Sequence, residues 1–364
     1  MSYRVNLTLL LSFSLLGVSV FAQQQQHRTK DLITADTNLV RIQVIVLDEK
    51  GGIASDLSKE DFHVLDDGVE QRIQYFAHAR QPVSVVLSLD DSQSMKNKIP
   101  FVREAAYSLL APFPDAEEQK SFRDEFSLIR FASRAELVAS FGRGDDLQPR
   151  IDSLIQPTKT STPLFDSVYL AVATEQDAQN ERRAIILVTD GGDNHSRYSL
   201  RETKRFLEEA DVPLFAVMAG PDIHFPFFSA PQTDTNSNSK LPIPPEIASL
   251  GRHQATDRPG DFIGPDERRG PRNMKELTET AGGSVFTANR LEDLQRIVQT
   301  LGVAVRYSYL LGYDPPAQKN AVHPKGWDGW HKVSVQLVPQ EKYKGYAMYT
   351  KRGYYETGSA DTSH

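Results

Sequence analysis

Apolar positions along this chain follow two rhythms. Between residues 83 and 305, short β-branched runs alternate with segments of helical period. Val83, Val85, Val86, Leu87 and Leu89 crowd residues 83–89, the composition of a strand buried on both faces. Residues 99–110 read as a helix, 125–131 as a strand, and 135–141 as its neighbour across the tight turn Ala132, Ser133 and Arg134. Helices are expected over 147–155 and over 164–175, where Leu164, Val168, Leu170 and Ala171 share one side. A second buried strand covers 183–189, a charged amphipathic helix 200–210, and a third buried strand 212–218. After a break come a helix at 274–281 stopped by Gly282 and Gly283, a short strand at 284–286, and a helix at 291–305 entered through Asn289. Strand–helix–strand order with short apolar strands predicts an α/β domain at 83–305: a doubly wound, mostly parallel sheet flanked by helices.

The flanks follow a different rhythm. Residues 39–47 partly alternate and read as a strand, followed by a turn at 48–52. Ser58 with Asp61 three positions on has the form of a cap on one helical turn. Residues 62–65 and 72–76 read as two strands joined by Asp66, Asp67 and Gly68. The Tyr-rich tail reads as strands at 307–313, 331–338 and 345–352. Residues 37–80 are too few to bury a core alone. They are expected to pair with 307–355 in a small β subdomain, which brings the two ends of the central domain together.

Three other segments complete the organisation. Residues 1–22 have the form of a secretory signal peptide, with Arg4, an apolar stretch and a small-residue site ending at Ala22. The apolar stretch is about a dozen residues, shorter than the roughly 18–20 of a spanning helix. Residues 23–36 form a polar, glutamine-rich leader expected to be disordered, and 356–364 a tail. Residues 221–271, rich in Pro, Ser, Asn and Asp, are an insertion in the domain: a flexible loop or a lid contacting ligand, with Phe225, Phe227 and Phe228 at its start. The net charge of −7 argues against nucleic acid or an anionic membrane as partner. With no cysteine in the chain, disulfides and thiolate chemistry are excluded. An exported chain without disulfides suits a periplasm or a cell surface.

The candidate chemistry lies where the strands stop. Asp90, Ser92 and Ser94 sit at alternate positions after the first buried strand, and Asp190 follows the second, ahead of Gly191 and Gly192. Thr162 precedes Pro163 at the start of the 164–175 helix. Each residue alone reads as a cap or turn residue. Together they are oxygen donors on three loops, and carboxyl ends of parallel strands are where such sheets bind ligands. Hard oxygen donors with few carboxylates suit Mg²⁺.

Asp90-x-Ser92-x-Ser94, followed by Thr162 and then Asp190, resembles the metal-ion-dependent adhesion site of von Willebrand factor type A domains. The flanking phrases, 57–62, 66–68, 309–313 and 351–355, resemble a bacterial branch in which such a domain sits between two β flanks. The resemblance implies that Ser92, Ser94 and Thr162 supply hydroxyls, directly or through water, and that Asp90 and Asp190 supply carboxylates, partly through water. It implies Mg²⁺, with Mn²⁺ or Ca²⁺ as alternatives, and a protein partner that completes the ion with an Asp or Glu. Gln93 stands where the family often has Gly, and Lys159 and Thr160 add charge and bulk near Thr162. His195 reads as a solvated loop residue, and Trp327 and Trp330 as flanking a hairpin at Asp328 and Gly329.

No Gly-x-Ser-x-Gly elbow, phosphate loop, His-Glu-x-x-His or EF-hand pattern occurs. The expectation is therefore an exported, non-enzymatic module that binds protein through Mg²⁺. The alternative is a structural scaffold of the same fold that does not depend on metal.

Overall fold

A computed structural model describes residues 39–78, 80–110, 124–152, 161–210, 212–220, 269–315 and 329–355. The signal segment, the leader, the tail and residues 221–268 of the insertion lie outside the described residues, as do Lys159, Thr160 and Trp327.

Two antiparallel sheets come from the flanks. In the first, β1 (Val40–Leu47) lies between β11 (Tyr309–Tyr313) and β13 (Ala347–Thr350), with β4 (Tyr75–Ala77) on the far side of β11. In the second, β12 (Trp330–Leu337) lies between β14 (Gly353–Tyr355) and β2 (Phe62–Asp66), with β3 (Val69–Gln71) at the edge. Their inner faces share one core of Ile42, Val44, Val46, Val64, Leu311 and Val335. The opposite face of β1 carries Ile45 and Leu47 into the core of the larger domain. One strand thus fastens the flank unit to that domain through the period-2 alternation of its side chains.

The large sheet holds six strands in the order β10 (Val285–Ala288), β9 (Leu214–Ala219), β8 (Arg182–Thr189), β5 (Val83–Asp90), β6 (Glu125–Phe131), β7 (Ala135–Gly142). All neighbours are parallel except β6 and β7. On one face pack α1 (Ile99–Leu110), α2 (Gly144–Asp152) and α6 (Leu291–Arg306). On the other pack α3 (Leu164–Glu175), α4 (Leu200–Glu209) and α5 (Gly270–Thr280). Strand β5 is buried along its whole length. Val83, Val85, Leu87 and Leu89 feed the first layer and Val86 the second. Each such Val or Leu contributes about 1.5–3 kcal/mol on burial, so the strand is held firmly from both sides. The chain leaves β5 towards β6 on one side and reaches β8 on the other. The carboxyl ends of β5 and β8 therefore border the point where the winding reverses, the crevice in which open α/β sheets bind ligands.

Several elements depart from the sequence reading. Strand β2 turns into β3 through Asp67 and Gly68, not into residues 72–76, of which only Tyr75 and Phe76 are in a strand, β4 of the other sheet. The cause is local: Asp67 and Gly68 both take positive φ, 49° and 83°, which makes a two-residue hairpin turn. Helix α5 starts at Gly270, with Pro271 in its first turn where the missing N–H costs nothing, so the end of the expected insertion is helical. The tail carries an additional strand, β14, after β13. Ser58 and Asp61 do form the expected cap, the Ser58 N–H donating to Asp61 Oδ2 at 2.8 Å.

Candidate metal centre

The last residue of β5 is Asp90, fully buried. Parallel pairing with β8 sets Leu89 against Val188, which brings Thr189 and Asp190 alongside Asp90. The Thr189 hydroxyl donates to Asp90 Oδ2 at 2.5 Å and accepts the Gly191 N–H at 2.9 Å. The other Asp90 oxygen accepts the Ser92 N–H at 2.9 Å. Burial raises the Asp90 carboxyl above the usual carboxylate range, and the Asp190 charge raises it further.

Ser92 starts a short 3₁₀ turn, Gln93–Lys98, in which the Met95 N–H donates to the Ser92 carbonyl at 3.0 Å. The turn sets Ser92 Oγ, buried, 3.0 Å from Ser94 Oγ, exposed. The hydroxyls thus form a pair running from the buried carboxylate outwards. Lys98, at the end of the same turn, places Nζ 3.6 Å from Asp190 Oδ2.

Thr162 lies one residue before the N-cap of α3, which is Pro163, and is buried. Its N–H donates to Asn194 Oδ1 at 2.7 Å, and its carbonyl accepts the Asn194 N–H at 3.1 Å. This two-way bond fastens the Thr162 loop to the loop that carries Asp190. Two further bonds lock the same loops: Phe165 N–H to Asp193 Oδ1 at 3.2 Å and Asp166 N–H to Ser196 Oγ at 3.1 Å. Gly191 has a φ of +92°, and a Cβ there would lie 2.8 Å from Met218 Cε, so the turn after Asp190 needs glycine. His195 is exposed.

Thr189, Asn194 and Lys98 were not singled out from the sequence. Thr189 ends a buried strand beside a candidate ligand, and a hydroxyl there is a usable signal. Asn194 and Lys98 carry none, because their partners depend on how the loops cross. Asp91 adds a third carboxylate. It is buried, 3.7 Å from Arg130 Nη1, and held at about 6 by burial, which outweighs the attraction of Arg130.

The donor set fits a small hard dication. Asp90 has both oxygens engaged by protein donors, so it suits a water-bridged role. Ser92, Ser94 and Thr162 offer hydroxyls and Asp190 a partly exposed carboxylate, an all-oxygen set of low charge. The Asp66, Asp67 and His331 cluster lies on the flank sheet, away from these strand ends.

Residues 84–225 match the family model of the von Willebrand factor type A domain. Among solved structures, the chain is similar to a conserved hypothetical protein, BatB, from Bacteroides thetaiotaomicron, with 19% identity, 62% of this chain and 99% of that chain covered, and a TM-score of 0.41. It is similar to an aerotolerance-related membrane protein from Bacteroides fragilis at 18% identity, with 61% and 98% covered and a TM-score of 0.41. A third is proximal thread matrix protein 1 of the mussel byssus with a zinc-occupied adhesion site, at 13% identity, with 63% and 48% covered and a TM-score of 0.40. No curated protein matches the chain. Among the described residues, no helix is long and apolar enough to cross a membrane. The sheet domain of this chain, matched over residues 84–225, is a von Willebrand factor type A domain.

Proposed function

We propose that this is an exported, non-enzymatic module that binds another protein through Mg²⁺ held by Asp90, Ser92, Ser94, Thr162 and Asp190. The observation that carries the reading is the fully buried Asp90, set beside Asp190 and continued outwards by the Ser92–Ser94 hydroxyl pair. A bound Mg²⁺ supplies an electrophilic position facing solvent, which an Asp or Glu of a partner fills. Thr189 fixes the Asp90 carboxylate, and Asn194 holds Thr162 in place. Beside the site, an open depression of about 650 Å³ is lined by Arg130, Arg134, Glu136 and Arg150, with Arg130 reaching back to Asp91. Arg130 and Arg134 both pair with Glu136 there, so part of its positive charge is balanced within the chain and the remainder complements an acidic partner.

A glutamate-rich peptide array tests the reading. Capture of the full chain in millimolar Mg²⁺, abolished by EDTA and by Asp90→Ala, supports it. Capture that survives both sinks it.

The Lys98 ammonium beside Asp190 favours a second reading, a scaffold whose own lysine balances the strand-end carboxylates. On that reading the chain keeps its stability and its partners after metal removal.

A further inference from the structure

The hairpin from β2 to β3 and the start of β12 enclose a group of side chains that the strand-end site does not use. Asp66, on β2, is buried, and so is His331 on β12. Asp66 Oδ2 accepts two phenol hydroxyls, from Tyr313 and Tyr354, each at 2.9 Å. Asp66 Oδ1 is buried without a hydrogen-bond partner and lies 3.5 Å from His331 Nδ1. That nitrogen is also 2.8 Å from Asp67 Oδ2, while Asp67 Oδ1 accepts the Lys332 N–H at 2.8 Å. The His331 ring is stacked on Tyr354, with centroids 4.9 Å apart and planes 13° from parallel.

Two carboxylate oxygens therefore converge on one imidazole nitrogen. Nitrogen and carboxylate oxygen do not sit 2.8 Å apart without a proton or a cation between them, and a single proton on Nδ1 leaves Asp66 Oδ1 unsatisfied. We propose that Asp66 Oδ1, Asp67 and His331 Nδ1 bind a transition-metal dication of the zinc class. The three candidate ligand atoms lie within 4.8 Å of one another, so small side-chain shifts bring them to about 2.0–2.2 Å from a common ion. The Nδ1 proton is displaced and the neutral ring keeps its proton on Nε2. Asp67 is half exposed, which opens the fourth position to water. Tyr313 and Tyr354 hold Asp66 by one oxygen and present the other, as hydrogen-bond partners of metal-bound carboxylates do. One nitrogen and two carboxylates suit Zn²⁺ or Co²⁺ better than Mg²⁺, which prefers an all-oxygen octahedron. The ion would join β2 from the front of the chain to β12 from its tail, and so stabilise the flank unit. The site lies in that unit and does not depend on the proposed function of the strand-end site.

The test uses the full chain carrying Asp190→Ala, which disables the strand-end site. Co²⁺ is titrated and its visible d–d absorption followed, and Zn²⁺ is titrated by calorimetry. One equivalent is expected, with a raised melting temperature. His331→Gln is expected to abolish the absorption, and Asp67→Ala, at a half-exposed position, to weaken binding by at least about tenfold. Circular dichroism confirms folding, and if His331→Gln does not fold, Asp67→Ala decides. Absence of binding by the folded chain, or binding unchanged by these substitutions and hence due to other histidines, overturns the proposal.

Discussion

Glu175, the last residue of α3, is the most exacting test of how the sheet domain is packed. Its side chain is 3% exposed, and neither carboxylate oxygen has a well-formed hydrogen bond. Burial pushes its carboxyl up to about 8 from 4.5. The Arg183 charge and the Val86 backbone offset only part of this shift. The folded state then holds a proton that the unfolded chain has released between about pH 4.5 and 8. Because the unfolded state binds fewer protons there, stability falls as pH rises through that window. Each pKa unit is worth 1.36 kcal/mol, so the cost at pH 7 is about 3 kcal/mol and nears 5 kcal/mol above pH 8. Glu175→Gln has no charge to neutralise. It is expected to be more stable than the wild type by about 2–3 kcal/mol at pH 7, with the gap closing towards pH 4. Urea unfolding of both chains from pH 4 to 9, in EDTA, measures that gap directly. Parallel profiles, or a wild type that gains on the variant as pH rises, would refute the reasoning and show Glu175 ionised and paired.

Four other outcomes follow from contacts around the site and the sheet. Thr189→Val removes the donor to Asp90 and the acceptor for Gly191, and should cost about 1–3 kcal/mol by denaturant unfolding. Asn194→Ala removes the side-chain acceptor of the Thr162 N–H, while the backbone bond from the Asn194 N–H to the Thr162 carbonyl is kept, and should weaken Mg²⁺ binding by calorimetry while leaving the melting temperature nearly unchanged. Lys98→Met removes an ammonium 3.6 Å from Asp190 and should tighten Mg²⁺ binding by about three- to tenfold, since the pair is partly solvated. Gly283→Ala would set a Cβ 1.9 Å from the Leu214 carbonyl oxygen and should lower stability by about 1–3 kcal/mol or more, read from thermal unfolding.

The sheet domain was legible because its strands are short, β-branched and separated by helical periods. Asp90 and Asp190 stood out because each ends such a strand, and parallel pairing then places them side by side. The hairpin at Asp67 was misread because residues 72–76 look more strand-like than Val69–Gln71, and only the turn geometry decides between them. Tyr343 and Tyr346 pack with the flank core as a T-shaped pair at 5.2 Å; Tyr343 precedes the strand expected at 345–352, and Tyr346 falls inside it although β13 begins only at Ala347. The Asp67–His331 contact spans 264 positions, and no local pattern links two residues so far apart. Asn194 and Lys98 were hidden for the same reason: their roles come from loop crossings, which follow from the sheet order rather than from spacing along the chain.

Calorimetric titration of Mg²⁺ into the full chain, beside Asp90→Ala and Asp190→Ala, addresses the strand-end site most directly. One-site binding to the intact chain, lost in both variants while circular dichroism shows the fold retained, is the result expected of a shared metal centre. A folded intact chain that takes up no Mg²⁺ at millimolar concentration, or variants that bind it unchanged, would contradict it.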